Sequence, residues 1–390
     1  MTHTVTEKNG AAIQRAIDEA AARGGGRVAL EPGIYHSATI RLRSNIELHI
    51  PAGAKIQGAD KPEAYDDFPH PEGVYPENAK KALLVCHDAE NVSVTGKGEI
   101  NGAGPAFYDT NVPPGAFFNK PPHPRPRMVQ FHKCRNVLFE GVSFVDSPGW
   151  TFFLSECENV VVSRVRVEGC QQMINNDGLD IDSCRRVSVS DSFFRTGDDC
   201  IILRAIRKDR AVPAVCEGVV VTNCVLDSWC QGIRIGCPSD DTIRGARFDN
   251  IVFKGRGSGI HFEYPMRYVR KDDEGFIDVS DISFNHMSID TARHPIRINC
   301  DPEIKPRRIA GISFRNIRIR GAQPIHLVGT PLLPLDDITL ENITGEIDTD
   351  TPLVARYVRR LAFDRVSLTA EKGDVVPFAR QPSPSWETHF

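Results

Sequence analysis

The chain lacks a dominant charge. Its 47 Lys and Arg stand against 51 Asp and Glu, for a net charge of −4 and a pI near 6.3. That balance leaves no basic footprint for nucleic acid or for an anionic membrane surface. Nor is there an uninterrupted apolar run long enough to span a bilayer. The opening residues, Met1-Thr2-His3-Thr4-Val5-Thr6-Glu7-Lys8, lack the charged-then-apolar pattern of a secretory signal. A cytoplasmic protein is therefore expected, unless a leader is removed ahead of these residues. Zinc and redox spacings are missing too: the eleven cysteines form no CxxC pair. Cys200 directly precedes an apolar run and Cys237 follows one, as small core-filling thiols would. The run Gly24-Gly25-Gly26 lacks the Lys-Ser/Thr of a phosphate loop, which leaves helix termination as its reading.

What the chain does have is repetition. Ile13, Ala16, Ile17, Ala20 and Ala21 recur at helical spacing over about 9–23, with Asn9 as the cap. After Gly26 the helical period vanishes and short β-branched segments take over: Arg27-Val28-Ala29-Leu30, Ser37-Ala38-Thr39-Ile40 and Ile46-Glu47-Leu48-His49-Ile50. A recurring segment then runs down the chain as Asn91-Val92-Ser93-Val94, Asn136-Val137-Leu138-Phe139, Asn159-Val160-Val161-Val162, Arg186-Val187-Ser188-Val189 and onward to Asp337-Ile338-Thr339-Leu340. Coils recur every 22 to 36 residues or so, within the solenoid range. Two or three short strands cannot bury an apolar face alone, but stacked coils make a continuous core. The unequal spacing, the missing blade motif and the N-terminal helix argue against a β-propeller. The expected fold is all-β: one single-stranded right-handed parallel β-helix of about ten coils over 1–390, with an N-terminal capping α-helix. Insertions at about 60–82 and 102–127 hold Tyr65, Phe68, His70, Tyr75, Phe107, Tyr108, Phe117, Phe118 and His123. They read either as plain surface loops or as walls of a substrate groove.

The chemistry gathers at a second set of apolar runs: Leu179/Ile181, Ile201/Leu203, Ile233/Ile235, Ile260/Phe262, Ile296/Ile298 and Ile325/Leu327. Two residues before each run the column reads Asp177, Asp199, Gln231, Ser258, His294, Gln323, with Asp198 one place further out. Stacked strands lie roughly 4.8 Å apart, so this register draws three carboxylates onto one patch. Crowded like charges should raise at least one of their pKa values. An acid/base enzyme is the simplest reading, against a Ca²⁺ site or a set of turn-forming aspartates that would also take in Asp180 and Asp182. The neighbouring outward columns read Asp180, Ile202, Arg234, His261, Arg297, His326 and Asp182, Arg204, Gly236, Glu263, Asn299, Val328. Arg234 and Arg297 read as a carboxylate clamp or as solvated face, and Glu263 as a sugar-hydroxyl acceptor or their salt partner. His261 and His294 read as subsite contacts or as plain surface or hydrogen-bonded histidines, and Trp150 as a sugar platform or a core residue.

Asn175-Asn176-Asp177-Gly178-Leu179-Asp180-Ile181 and Gly197-Asp198-Asp199-Cys200 resemble the Asn-Thr-Asp-Gly and (Gly/Gln)-Asp-Asp-Cys blocks of glycoside hydrolase family 28, the polygalacturonases and their relatives. Arg125-Pro126-Arg127-Met128-Val129-Gln130-Phe131 and Ser147-Pro148-Gly149-Trp150-Thr151 are similar to bacterial members. The likeness runs in general pattern over about 8–365 and is specific over about 125–205. It implies hydrolysis of pectin-related oligosaccharides with inversion, Asp198 as acid, and Asp177 with Asp199 holding and deprotonating the water. No metal or other cofactor is called for. Adjacent coils suggest carboxyls closer than the roughly 6.5–9.5 Å usual for inverters, in tension with that implication. Two family blocks are altered: Gly-His-Gly aligns with Cys230-Gln231-Gly232, and the uronate-reading Arg-Ile-Lys aligns with His261-Phe262-Glu263. Candidate substrate contacts are thus Asn175, Gln231, Arg234, His261, Glu263, His294 and Arg297. The expected partner is a short oligosaccharide, cleaved from its end, with no nucleic acid or membrane partner. The rivals are a non-catalytic carbohydrate-binding β-helix and a lyase or glycosyl-transferring one.

Overall fold

The computed structural model describes residues 2–69, 79–270, 276–304 and 306–370, and the backbone of Val375–Phe378. The coil repeat runs through two compact units, Met1–Asp199 and Cys200–Phe390.

The first unit begins with the expected helix, α1, at Gly10–Ala22. Asn9 caps it by accepting the Ala12 N–H at 2.8 Å, and Ile13, Ala16, Ile17 and Ala20 form its buried face. The glycine run ends it, with Gly24 and Gly25 N–H donating to the Ala21 and Ala20 carbonyls, each at 2.9 Å. Gly25 has φ +121°, and a Cβ there would lie 2.4 Å from the Asn45 carbonyl oxygen, so no other residue fits without a shift. The helix packs on the first strands, Thr2–Val5, Gly26–Leu30 and Gly33–Ser37, as a cap. One expected strand is displaced. Instead of one run over 37–40, the chain forms Gly33–Ser37 and Ile40–Arg41, and Thr39 Oγ1 between them donates to the Ala82 carbonyl at 3.0 Å.

Coils then stack in parallel register. Val28, Leu48, Val94, Phe139, Val162 and Val189 pair strand to strand and are fully buried. The recurrent asparagine before these strands has a structural cause. Asn45, Asn91, Asn136 and Asn159 all sit at φ 56–61°, the left-handed corner that Asn tolerates better than most residues. Their side chains form a ladder, each donating to the one before at 2.8–3.0 Å, and Arg186 closes it at 2.6 Å. A second ladder of the same unit runs Ala82–His87, Arg127–His132, Phe152–Ser155 and Leu179–Asp182. This ladder carries the site.

In the second unit the paired short strands fuse into long ones: Val215–Ser228, Thr242–Gly255, Asp278–Thr291, Arg308–Gly321 and Asp336–Ile347. Left-handed residues such as Asn223, Asn250, Asn316 and Asn342 drop out of the pairing one at a time, and it resumes in the same register beyond each. Val221, Phe248, Phe284, Phe314 and Leu340 stack along the core. The three phenyl rings lie nearly parallel, 4.8 and 5.2 Å apart, which is the strand spacing itself. The matching second ladder is Ile201–Arg204, Ile233–Ile235, Ile260–Tyr264, Ile296–Cys300 and Ile325–Val328. Nine of the eleven cysteines are buried, as expected of structural thiols.

Candidate active site

In the first unit, two turns that enter the second ladder are laced together. The Gly178 N–H donates to the Asp199 carbonyl at 2.9 Å, so the Asp177 and Asp199 turns stack as their register implies. Asn176, 1% exposed, accepts the Gly197 and Asp198 N–H groups at 2.7 and 3.2 Å on its side-chain oxygen. Its amide nitrogen donates to the Cys170 carbonyl at 3.0 Å. Gly197 is required for this close approach, since a Cβ would meet the Met173 carbonyl oxygen at 2.1 Å. Asn175 takes φ 62° and donates its N–H to Asp198 Oδ2 at 2.9 Å, with its side-chain Nδ2 at 3.4 Å from the same oxygen. Asp198 Oδ1 accepts the Asp199 N–H at 3.0 Å. Asp177 and Asp199 are buried, whereas Asp198 is half-exposed. The structure thus draws Asn175, Asp177, Asp198 and Asp199 into one rigid, backbone-braced group.

The flanking columns of this unit differ from expectation. Asp180 and Asp182, read as outward-facing, are fully buried, and their ladder neighbours Phe153 and Ser155 are 1% and 2% exposed. Side chains on adjacent coils cover that face, so strand alternation alone does not make it solvent. Ser183 Oγ donates to Asp182 Oδ1 at 2.7 Å. Trp150 is a core residue, 4% exposed, against Phe153 and beneath the Arg127 guanidinium, 4.2 Å from the ring centre. The described parts of the insertions are anchored, because Tyr65, Phe68, Phe107 and Tyr108 are buried. Phe117 and His123 are exposed and Phe118 is half-buried, while His70 and Tyr75 lie outside the described residues.

Two contributors escaped the sequence reading. Arg125 was noticed only as part of a motif and Tyr108 only as a loop aromatic. In the structure both are buried, with the Arg125 guanidinium joined to the Tyr108 hydroxyl. The signal that could have exposed Arg125 is an arginine set between two prolines, Pro124 and Pro126, just ahead of a strand.

The second unit carries the remaining candidates. The backbone bonds Cys200 N–H to Gln231 O, Gly232 N–H to Ser258 O and Gly259 N–H to His294 O, at 2.9–3.0 Å, stack Gln231, Ser258 and His294 in the expected column. The Gln231 side-chain oxygen accepts the Ser258 N–H at 2.7 Å, which fixes its amide. Arg234, His261, Arg297 and His326 pair in register along the next column. Glu263 is the salt partner of Arg234, and its other oxygen accepts from Arg267 at 3.0 Å. Burial pushes this carboxyl up, but Arg234, His261 and Arg267 outweigh it and hold it at about 2. His261 is 3% exposed, too covered to be an open surface contact. His294 Nδ1 donates to the Pro324 carbonyl at 2.7 Å. Burial lowers its pKa, against that bond, and the cations Arg297 and Arg293 lower it further. Burial, then His294, Arg297 and Arg356, push His326 down to about 4. Arg234 is therefore spent on Glu263, whereas Arg297 forms no ion pair with any described carboxylate. Glu263 thus engages two guanidinium groups, those of Arg234 and Arg267.

Stacked parallel coils with aspartate-bearing turns at the entry of one ladder define a parallel β-helix with an acidic cluster. The family model of glycosyl hydrolases family 28 matches residues 37–216 of the chain. That match takes in both aspartate blocks and stops before the altered Cys230-Gln231-Gly232 and His261-Phe262-Glu263. The chain is 22% identical over 317 residues to an endo-polygalacturonase of Pectobacterium carotovorum subsp. carotovorum, covering 73% of this chain and 77% of the relative. It is 26% identical over 224 residues to a probable polygalacturonase of Arabidopsis thaliana, covering 56% of this chain but only 43% of that protein's length. Among solved structures, a hyperthermoactive exopolygalacturonase from Thermotoga maritima superimposes with a TM-score of 0.71 at 20% identity, over 98% of this chain and 93% of its own. The shared fold is the right-handed parallel β-helix.

Proposed function

We propose that the protein hydrolyses glycosidic bonds in acidic, pectin-related oligosaccharides, working from the chain end and inverting the anomeric centre. Asp198 gives its proton to the glycosidic oxygen as the bond from that oxygen to the anomeric carbon breaks. A water held by Asp177 and Asp199 forms the new bond to that carbon and passes its proton to one of those carboxylates. The observation that carries this reading is the braced group of Asp177, Asp198 and Asp199, whose turns are fixed by Asn175, Asn176 and the Gly178–Asp199 backbone bond. Preorganised carboxyls need no rearrangement at the moment of reaction. Arg297, which forms no ion pair with a described carboxylate and shares a column with Arg234, supports an acidic sugar. The Glu263 charge does not stand against such a sugar unopposed, since Arg234 and Arg267 engage it.

The test is turnover of galacturonate oligomers and neutral oligosaccharides, with products read by mass and anomers by NMR. Asp177→Asn, Asp198→Asn and Asp199→Asn should each lower kcat by about 10²–10⁴-fold or more. Their melting temperatures should stay level or rise, as like-charge crowding is relieved. Arg297→Ala should raise KM for acidic oligomers and leave that for neutral ones unchanged. End-wise action should release one small product from the outset instead of a ladder. Asp198→Asn with most of its turnover intact would refute the assignment. A protein that binds oligosaccharide equally well with and without that substitution, and never cleaves it, would be a binding module.

A further inference from the structure

We propose that Arg125 is a positioning residue for the general acid, fixing the Asp198 carboxyl through the side chain of Asn175. The inference rests on the reading of Asp198 as the acid. Arg125 is 5% exposed and lies at the end of the 102–127 insertion. Its Nη1 donates to the carbonyls of Pro148 at 3.0 Å and Ile174 at 2.8 Å and meets the Tyr108 hydroxyl. Its Nη2 donates to Asn175 Oδ1 at 3.0 Å.

A guanidinium has only donors to offer, so Asn175 must present its oxygen to Arg125 and turn its NH₂ the other way. There the NH₂ faces Asp198 Oδ2, which the Asn175 backbone N–H also approaches. With the amide flipped, two oxygens would oppose each other at Asp198 and two sets of N–H at Arg125. Arg125 therefore selects the rotamer in which Asn175 supports the carboxyl. Asp198 Oδ2 thus faces both the backbone N–H and the side-chain NH₂ of Asn175, which fixes the orientation of the carboxyl.

The same arrangement ties the insertion to the catalytic turn. The Phe118 N–H donates to the Gln172 carbonyl at 2.7 Å, and Gln172 Nε2 returns a bond to the Ala116 carbonyl at 3.0 Å. Tyr108 and Arg125 grip Ile174 from either end of that loop. The insertion is thus part of the support of Asp198.

The charged and titratable groups around Asp198 in this unit are Asp177 and Asp199 on the stacked turns and Arg125 and Tyr108 on the insertion. The two carboxylates are unchanged when Arg125 is replaced. Loss of its charge and of the oriented amide disfavours ionised Asp198, so the alkaline limb of activity should move to higher pH.

The experiment measures kcat, KM and the pH profile of Arg125→Met, Arg125→Lys, Asn175→Ala and Arg125→Met/Asn175→Ala on a galacturonate oligomer, with Asp198→Asn as control. Arg125→Met should lower kcat about 10²-fold with KM little changed and the alkaline limb shifted upward. Arg125→Lys should fall between it and the parent, since one ammonium can reach the amide but lacks the fork. The double variant should be no slower than Asn175→Ala, because both changes break one chain of contacts. Multiplying effects, a rise in KM alone, or a near-parental Arg125→Met would overturn the inference while leaving Asp198 as the acid. Where Arg125→Met does not fold, Asn175→Ala decides: it must show the same loss of kcat and the same limb shift, and parental behaviour overturns the proposal. Asp198→Asn with undiminished turnover would instead sink the reading of the acid, and this inference with it.

Discussion

Replacing Glu263 by Gln removes a negative charge held between Arg234 and Arg267 while leaving the side-chain shape almost unchanged. The carboxyl sits at about 2 against an ordinary 4.5. Each unit of such a displacement is worth about 1.4 kcal/mol, so the ionised group contributes at most about 3 kcal/mol at pH 7. The side chain retains 16% exposure, which admits some solvent screening. A loss of about 2 kcal/mol on Glu263→Gln is the working expectation, near the lower edge of the range for breaking a buried pair. The sign follows from the depressed pKa. The contribution is complete above about pH 4.5 and is lost as pH falls through about 2, leaving less than half of it at pH 3. Urea denaturation of both proteins at pH 7, 5 and 3 reads this directly. The gap in stability should be equal at pH 7 and 5 and should shrink at pH 3. In an Asp198→Asn background, where nothing turns over, Glu263→Gln should also bind a galacturonate oligomer more tightly, because Arg234 loses its internal counter-charge. No gap at pH 7, or a gap as large at pH 3, would refute the reasoning.

Hydrolysis by carboxyl groups needs no cation, so EDTA should leave turnover intact; loss restored by Ca²⁺, with an unsaturated product absorbing in the ultraviolet, would indicate a lyase. His326 is held at about 4 against an ordinary 6.5, so its neutral form belongs to the fold. Its contribution should be full above about pH 6.5 and be lost as pH falls to about 4, with no further loss below, and His326→Gln should flatten that window in a melting-temperature series. Phe284→Ala opens a gap between two stacked rings in a fully buried column and should cost about 3–5 kcal/mol, measured by urea denaturation, without changing KM.

Sequence pattern and structure agree where the physics is local or periodic. The Asn9 cap, the glycine stop and the parallel stacking of Val92, Val137 and Val160 follow from helix capping, backbone freedom and strand alternation. The asparagine that precedes those strands was visible as a repeat, but its cause, a left-handed corner closed by a side-chain ladder, appears only once the coils stack. The stacking of the Asp177 and Asp199 turns was likewise legible, because a fixed offset from an apolar run is a register.

The tertiary structure decided what each charge does. From the sequence alone, Arg234 and Arg297 were equivalent members of one column, and Glu263 was either a sugar-hydroxyl acceptor or the salt partner of one of them. In three dimensions Glu263 engages Arg234 and Arg267, which leaves Arg297 without an ion pair among the described carboxylates. Asp180 and Asp182 turned out buried, and Trp150 packs under Arg127, because exposure depends on what neighbouring coils lay across a face. The chain of contacts from Arg125 through Asn175 to Asp198 joins residues 50 and 23 positions apart. A repeating sequence specifies which residues share a column, since that depends only on spacing. Which side chains meet within and between columns depends on rotamer, burial and distance, and those quantities exist only in the folded chain.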